Sequence, residues 1–163
     1  MAERASGDAK NNPATNSSRT RPIGASESNS SDRSLNAALV VTAIQNKMAR
    51  YDGLVPSATA CCTAIGLKLS AVRTTIGWLD AEYCKPIASS QGLIDRVPKP
   101  DRDLIGAAML EAIDQQVLLC SINPVGIRRI VIAQKALAGN GAVLTVPLAI
   151  NNRAVGALTL EFS

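Results

Sequence analysis

The chain has no histidine at all, and that absence excludes more chemistry than any residue present suggests. Ser-His-Asp and Cys-His catalysis, imidazole metal sites and axial histidine ligation of haem all need that side chain. Aromatic residues make up only 2% of the 163 residues, so stacking platforms for single-stranded nucleic acid are missing. The net charge is +4, and Arg128-Arg129 is the only adjacent basic pair, so no electrostatic footprint of a nucleic-acid binder is present. No run approaches the about 18 consecutive apolar residues of a membrane-spanning helix. The first residues also lack the basic-then-apolar pattern of a secretory signal. The expected setting is cytoplasmic, with no direct membrane span.

Cysteine is present but not in patterns that bind metal. Cys61, Cys62, Cys84 and Cys120 form no CxxC pair, and two of them are adjacent, which suits neither zinc nor a disulfide framework. Buried thiols are the expectation, with no metal and no cofactor. Hydrophobic residues reach 47%, which with so few aromatics implies an aliphatic, alanine-rich core. A chain of this length is expected to bury one such core.

Residues 1–33 are rich in Ser, Asn, Arg, Gly and Pro, and Ile23 is the only large aliphatic residue there after Met1. Such a segment cannot bury enough apolar surface to offset the entropy of ordering it, so a disordered leader is expected. A domain is expected over 34–163. Ser34 is a candidate N-cap for a helix to Tyr51, with Ala37, Val40, Val41, Ile44 and Met48 at helical spacing. Leu35, Leu39 and Ala43 lie off that stripe and suggest a second face for a homodimer. Pro56-Ser57 opens a second helix, in which Ala58, Cys61, Cys62, Ile65 and Leu69 share a face.

From Ala71 the period becomes two, with Val72, Thr74, Ile76 and Trp78 on one side. A turn at Asp80-Ala81-Glu82 leads to a strand over 83–89, where Pro86 marks an edge or a bulge. After a loop over 91–100, Asp101 is expected to cap a helix to Gln116. A short strand over 117–120 and a helix over 125–137 follow, the latter with Ile130, Ala133 and Leu137 inward. The chain closes with apolar runs Ala142 to Ile150 and Ala154 to Phe162 around Asn151-Asn152, which reads as a tight β-hairpin. Pro147 then needs an edge or bulge, and Gly156 a close backbone approach. Hairpins at both ends of the sheet predict an α+β domain, a central antiparallel sheet with helices packed on both faces.

That order, and the text that carries it, resembles the GAF domain family. Val72 to Leu79 resembles its first long strand, and Ala107 to Gln115 the helix before its short middle strand. Ile132 to Ala138 resembles the helix before the closing hairpin. Val146-Pro147-Leu148 and Val155 to Glu161 resemble its most recurrent part. The combination is similar to GAF domains that precede haemolysin-D-like efflux adaptors in bacterial envelope proteins. On that resemblance the chain is a freestanding domain or the front piece of a longer protein, in which case it sits at the cytoplasmic face of the inner membrane.

The resemblance implies a non-enzymatic sensory or regulatory module that binds a small molecule or a protein partner, pairing through the Ser34–Tyr51 helix. Its ligand cavity would lie between one sheet face and the segment 91–137, with Trp78 as a wall and Arg128 or Arg129 for an anionic group. A second reading is a thiol-dependent free methionine sulfoxide reductase on the same fold, with Cys84 and Cys120 as a redox pair. Cyclic-nucleotide binding is disfavoured because Asn46-Lys47 lies within the first helix. Haem and bilin attachment are disfavoured because histidine is absent.

Overall fold

A computed structural model describes residues 25–122 and 131–163, with side chains from Arg33 onward. Two compact units divide it, Met1–Asn36 and Ala37–Ser163. The first is described only from Ala25, where helix α1 (Ala25–Met48) begins. The helix therefore starts inside the stretch expected to be leader, because no Gly or Pro stands between Ala25 and Ser34 to stop it. The remainder of the leader lies outside the described residues.

The second unit follows the expected order. Helix α2 (Leu54–Leu69) precedes the strands β1 (Arg73–Asp80) and β2 (Tyr83–Ser89). A 3-10 turn (Ile94–Arg96), helix α3 (Lys99–Gln115) and the two-residue strand β3 (Leu119–Cys120) come next. Helix α4 (Ile132–Ala138) and the hairpin β4 (Ala142–Ile150) and β5 (Arg153–Phe162) complete it. The five strands form one antiparallel sheet in the order β2-β1-β5-β4-β3.

The hairpin forms as the sequence predicts. Asn151 and Asn152 have φ of 50° and 60°, the two positive values of a tight hairpin turn that follows the strand twist. Pro147 is tolerated because β3 pairs only with Leu144 and Thr145, so beyond them β4 is an edge. Gly156 faces Trp78 on β1 and Leu148 on β4. A Cβ there would run into the Gly77 carbonyl oxygen, so this crossing of strands admits only glycine. Outside the backbone ladder, Arg73 holds Glu161 through Nε at 2.5 Å and Nη2 at 2.7 Å, tying β1 to β5.

Register sorts side chains onto the two faces. Thr74, Leu160 and Leu144 stand opposite one another, as do Ile76, Leu158 and Val146. This face meets α2, where Ala58 and Cys62 pack on Ile76, Ile87 and Ala88. Small residues at Ala58, Cys62 and Gly66 recur every four positions and let α2 lie close. The stripe is narrower than the sequence suggests: Cys61 and Ile65 are half-buried, and Leu69 is exposed.

The opposite face meets α3 and α4. Ile105, Met109 and Ile113 of α3 pack on Cys84 and Ala157, and Ala112 packs with Leu119 and Val131. Helix α3 starts at Lys99 rather than behind Asp101, with Pro98 as its N-cap residue and Pro100 in its first turn. Asp101 makes no cap bond; its carboxylate sits in the first turn, where the helix dipole favours it. The helix expected over 125–137 is seen from Ile132, and 123–130 lies outside the described residues.

Replacing Gly156 by Val should lower stability by about 1–3 kcal/mol, the usual cost of overpacking. Urea unfolding of the variant measures it, and a loss near zero would mean that β1 and β5 are not this close.

Candidate functional site

The face under α3 and α4 is closed by polar side chains. Gln134 on α4 is fully buried; its Nε2 donates to the Ala108 carbonyl at 2.7 Å, and its Oε1 accepts from the Thr145 hydroxyl at 3.1 Å. Thr145 in turn lies 3.1 Å from the Thr159 hydroxyl on the neighbouring strand. Glu111 of α3 accepts from the Ala133 and Gln134 amides at 2.7 and 3.1 Å, capping α4 across the helix pair. These amides are orphan donors in the first turn of α4, and a carboxylate there opposes the positive end of the helix dipole. Thr75 continues the row of threonines, opposite Thr159, but its buried hydroxyl has no partner among the described residues.

An open groove lies elsewhere, at the β2 edge. A groove of about 780 Å³ runs there between α2 and α3. Its floor is Cys84, Pro86 and Ile87, and its walls are Val55 and Thr59 of α2 and Gly106, Ala107 and Leu110 of α3. Leu93 and Ile94 close one end. A Cβ on Gly106 would stand 2.5 Å from the Cys84 carbonyl oxygen, so glycine is what lets α3 approach the edge of β2. That volume is within the roughly 300–1,000 Å³ of small-molecule sites.

Charge is concentrated at the rim, where Lys85, Lys99 and Arg102 face Asp95 and Asp103. Arg102 Nη1 holds Asp95 at 3.1 Å. The side chains of Lys85 and Lys99 have no hydrogen-bond or ion-pair partner among the described residues, nor has that of Asp103, and with Arg102 paired to Asp95 the rim carries one net positive charge. The arrangement can take an apolar body against the floor and an anionic group at the lysines.

Trp78 is not part of this groove. It lies on the α2 side of β1, 44% exposed, and lines a smaller apolar cleft with Met48, Leu54 and Leu148. Arg128 and Arg129 lie outside the described residues. Spacing in the sequence does not single out Lys85, Lys99 and Arg102, because Lys85 lies on β2 and the other two on α3, with no motif that joins them. The charge- and proline-rich text of 91–100 was the one available signal.

The thiols are arranged for packing. Cys62 is buried against the Ala88 carbonyl, and burial pushes its pKa up to about 12. Cys84 sits 3.7 Å from the Met109 sulfur, and burial raises it to about 11. Burial also raises Cys61. Reactive cysteines need the opposite, a lowered pKa and access. The expected pairing of Cys84 with Cys120 meets a topological obstacle: β2 and β3 are the outer strands at opposite edges. Four strand spacings put them about 19 Å apart, far beyond the Cα separation of about 7 Å that a disulfide spans. Among the described residues no three His, Cys, Asp or Glu side chains converge to hold a metal ion, and no helix is long and apolar enough to cross a membrane.

Solved structures share this architecture. The GAF domain of a phosphoenolpyruvate-protein phosphotransferase from Acinetobacter is similar with a TM-score of 0.55 and 14% identity, over 74% of this chain and 73% of that chain. The nlh2 GAF domain of A. Aeolicus in an inactive state gives 0.53 and 14% identity, over 80% and 82%. Free methionine-R-sulfoxide reductase from Neisseria meningitidis, in complex with its substrate, gives 0.51 and 14% identity, over 74% and 70%. The chain has the GAF fold. No protein-family model and no curated protein matches the sequence. Because the fold is shared by a domain of a phosphotransferase and by a sulfoxide reductase, function has to be argued from this chain's own residues.

Two predictions follow from the buried groups. Thr75→Val should be neutral or raise stability, since it removes an unpaired buried hydroxyl, whereas Thr145→Val should cost about 1–3 kcal/mol by stranding Gln134. Denaturant titration of both variants tests the contrast. For the thiols, the folded pKa values lie above the ordinary value near 9, so the folded state holds its protons longer than the unfolded one. Their contribution is complete below pH about 9 and is lost as pH rises through about 11 to 12. Removing it by Cys62→Ala and Cys84→Ala should flatten the alkaline limb of a stability–pH curve.

Proposed function

We propose that this chain is a non-enzymatic regulatory module that binds a small molecule in the groove between α2, the β2 edge and α3. The observation that carries the reading is the groove itself, an apolar floor beneath Lys85 and Lys99, two cations without partners among the described residues. The ligand class is an anion with an apolar body. Apolar contacts along Pro86, Ile87 and Leu110 supply affinity, and the rim lysines fix orientation. Position supports a signalling role. One wall is α3, which also contributes Glu111 to the cap of α4. A ligand that draws α3 toward β2 therefore acts on the helix pair covering the sheet.

The reductase reading is disfavoured by the thiols. Cys84 lies in the groove floor, but it is 2% exposed, and its pKa is raised rather than lowered. No second cysteine of the described structure shares its strand edge. Free methionine sulfoxide, thioredoxin and NADPH should give no turnover. Turnover abolished by Cys84→Ser would replace this reading with an enzymatic one.

A thermal-shift screen is expected to select apolar-bodied anions, with native mass spectrometry giving the stoichiometry. Lys85→Glu combined with Lys99→Glu should weaken such a ligand roughly 10- to 100-fold, the effect of losing charged contacts, and leave the unliganded Tm near its starting value. Binding untouched by that pair of changes but lost in Trp78→Ala would move the site to the other face.

A further inference from the structure

Helix α3 turns one side to the groove, and that side changes character along its length. Lys99, Arg102 and Asp103 come first, and Gly106, Ala107 and Leu110 follow. Steps of three and four residues keep all of them on one side of the helix. From Lys99 to Leu110 the wall runs about 16 Å, charged at its start and apolar at its end. A ligand lying along it has a charged head and an apolar tail, in that order.

The head end holds unpaired charges of both signs. Arg102 is taken by Asp95. Lys99 and Asp103 stand on consecutive turns, where Cβ atoms are about 5–6 Å apart. They are paired neither with each other nor with another side chain among the described residues. A lysine four residues before an acid is the weaker of the two helical orders. Lys99 is also the first residue of α3, at the positive end of the helix dipole, where a cation is disfavoured. Lys85 of β2 brings a second unpaired cation to the rim. Charges placed against local preference in this way are expected where something binds.

We infer that the groove, read as a small-molecule site as above, takes a zwitterion: an α-amino acid with a large apolar side chain. Its ammonium meets Asp103 and its carboxylate meets Lys99 and Lys85. Both charges of such a ligand leave one carbon, which suits opposite charges one helical turn apart. The apolar side chain then runs along Ala107 and Leu110, over Pro86 and Ile87. Asp103 is the specificity determinant. A plain anion brings its carboxylate beside that of Asp103 with no ammonium between them, and this repulsion selects against it.

Isothermal titration calorimetry compares L-leucine and L-phenylalanine with their deaminated counterparts, isocaproate and hydrocinnamate. Each amino acid should bind roughly 5- to 10-fold tighter than its acid, the range of one charged contact at a partly wet rim. In Asp103→Asn that advantage should vanish, with the acids binding as well as before or better and the unliganded Tm near its starting value. Lys85→Glu combined with Lys99→Glu should weaken amino acids and acids alike. Acids that bind wild-type protein as tightly as the amino acids overturn the inference and leave the groove as a site for plain anions. An amino-acid advantage that persists in Asp103→Asn overturns it as well. If no probe binds, or binding ignores the lysine changes, the groove reading falls together with it.

Discussion

The amide of Gln134 is the interaction on which the arrangement of α3 and α4 depends. It is fully buried, donates to α3 and accepts from β4, so three elements meet at one side chain. Burying an amide costs several kcal/mol unless its bonds are made, so the geometry that satisfies it is strongly preferred over near alternatives. Glu111 reinforces that geometry by capping α4 from α3, a longer-range version of what an N-cap side chain does locally. The two interactions explain how a seven-residue helix with no cap of its own holds its place.

Closing this face has consequences for the rest of the molecule. Met109, Ile105 and Ile113 fill the space beneath α3, and the threonine row fills that beneath α4. A wide groove opens instead where α3 meets the β2 edge. The α2 side is built differently, with one helix of 16 residues, small at Ala58, Cys62 and Gly66, covering β1 and β2. The closed face gives rigidity, and the half-covered face and the groove are the surfaces available to other molecules.

Much of the fold is legible in the sequence because its signals are local. Asn151-Asn152 between two apolar runs specifies a hairpin, and Pro147 then specifies which part of β4 must be an edge. Tyr83–Ser89 is bounded by turn residues at both ends, and its proline marks it as an outer strand. The helix starts were harder to read. Asp101 is a good cap by type, but Pro98 and Pro100 preset the turn two residues earlier. Trp78 falls on the side that period two assigns to it, yet alternation alone does not say which side faces the larger space. The groove was not legible, since Lys85, Lys99 and Leu110 are joined only by the approach of α3 that Gly106 permits. Gln134 looks in sequence like any polar residue on a short helix, and its burial follows from tertiary position alone.

Hydrogen exchange on the purified chain tests most directly whether the α3–α4 face is the locked part of the domain. Amides of 108–113, 133–138, 143–146 and 157–160 should exchange slowest, because opening them breaks the Gln134 and Glu111 bonds together. Amides of 83–95 along the groove should exchange faster. Slow exchange along 83–95 with loop-like exchange over 133–138 would contradict the account, because the face assigned as closed would then be the one that opens.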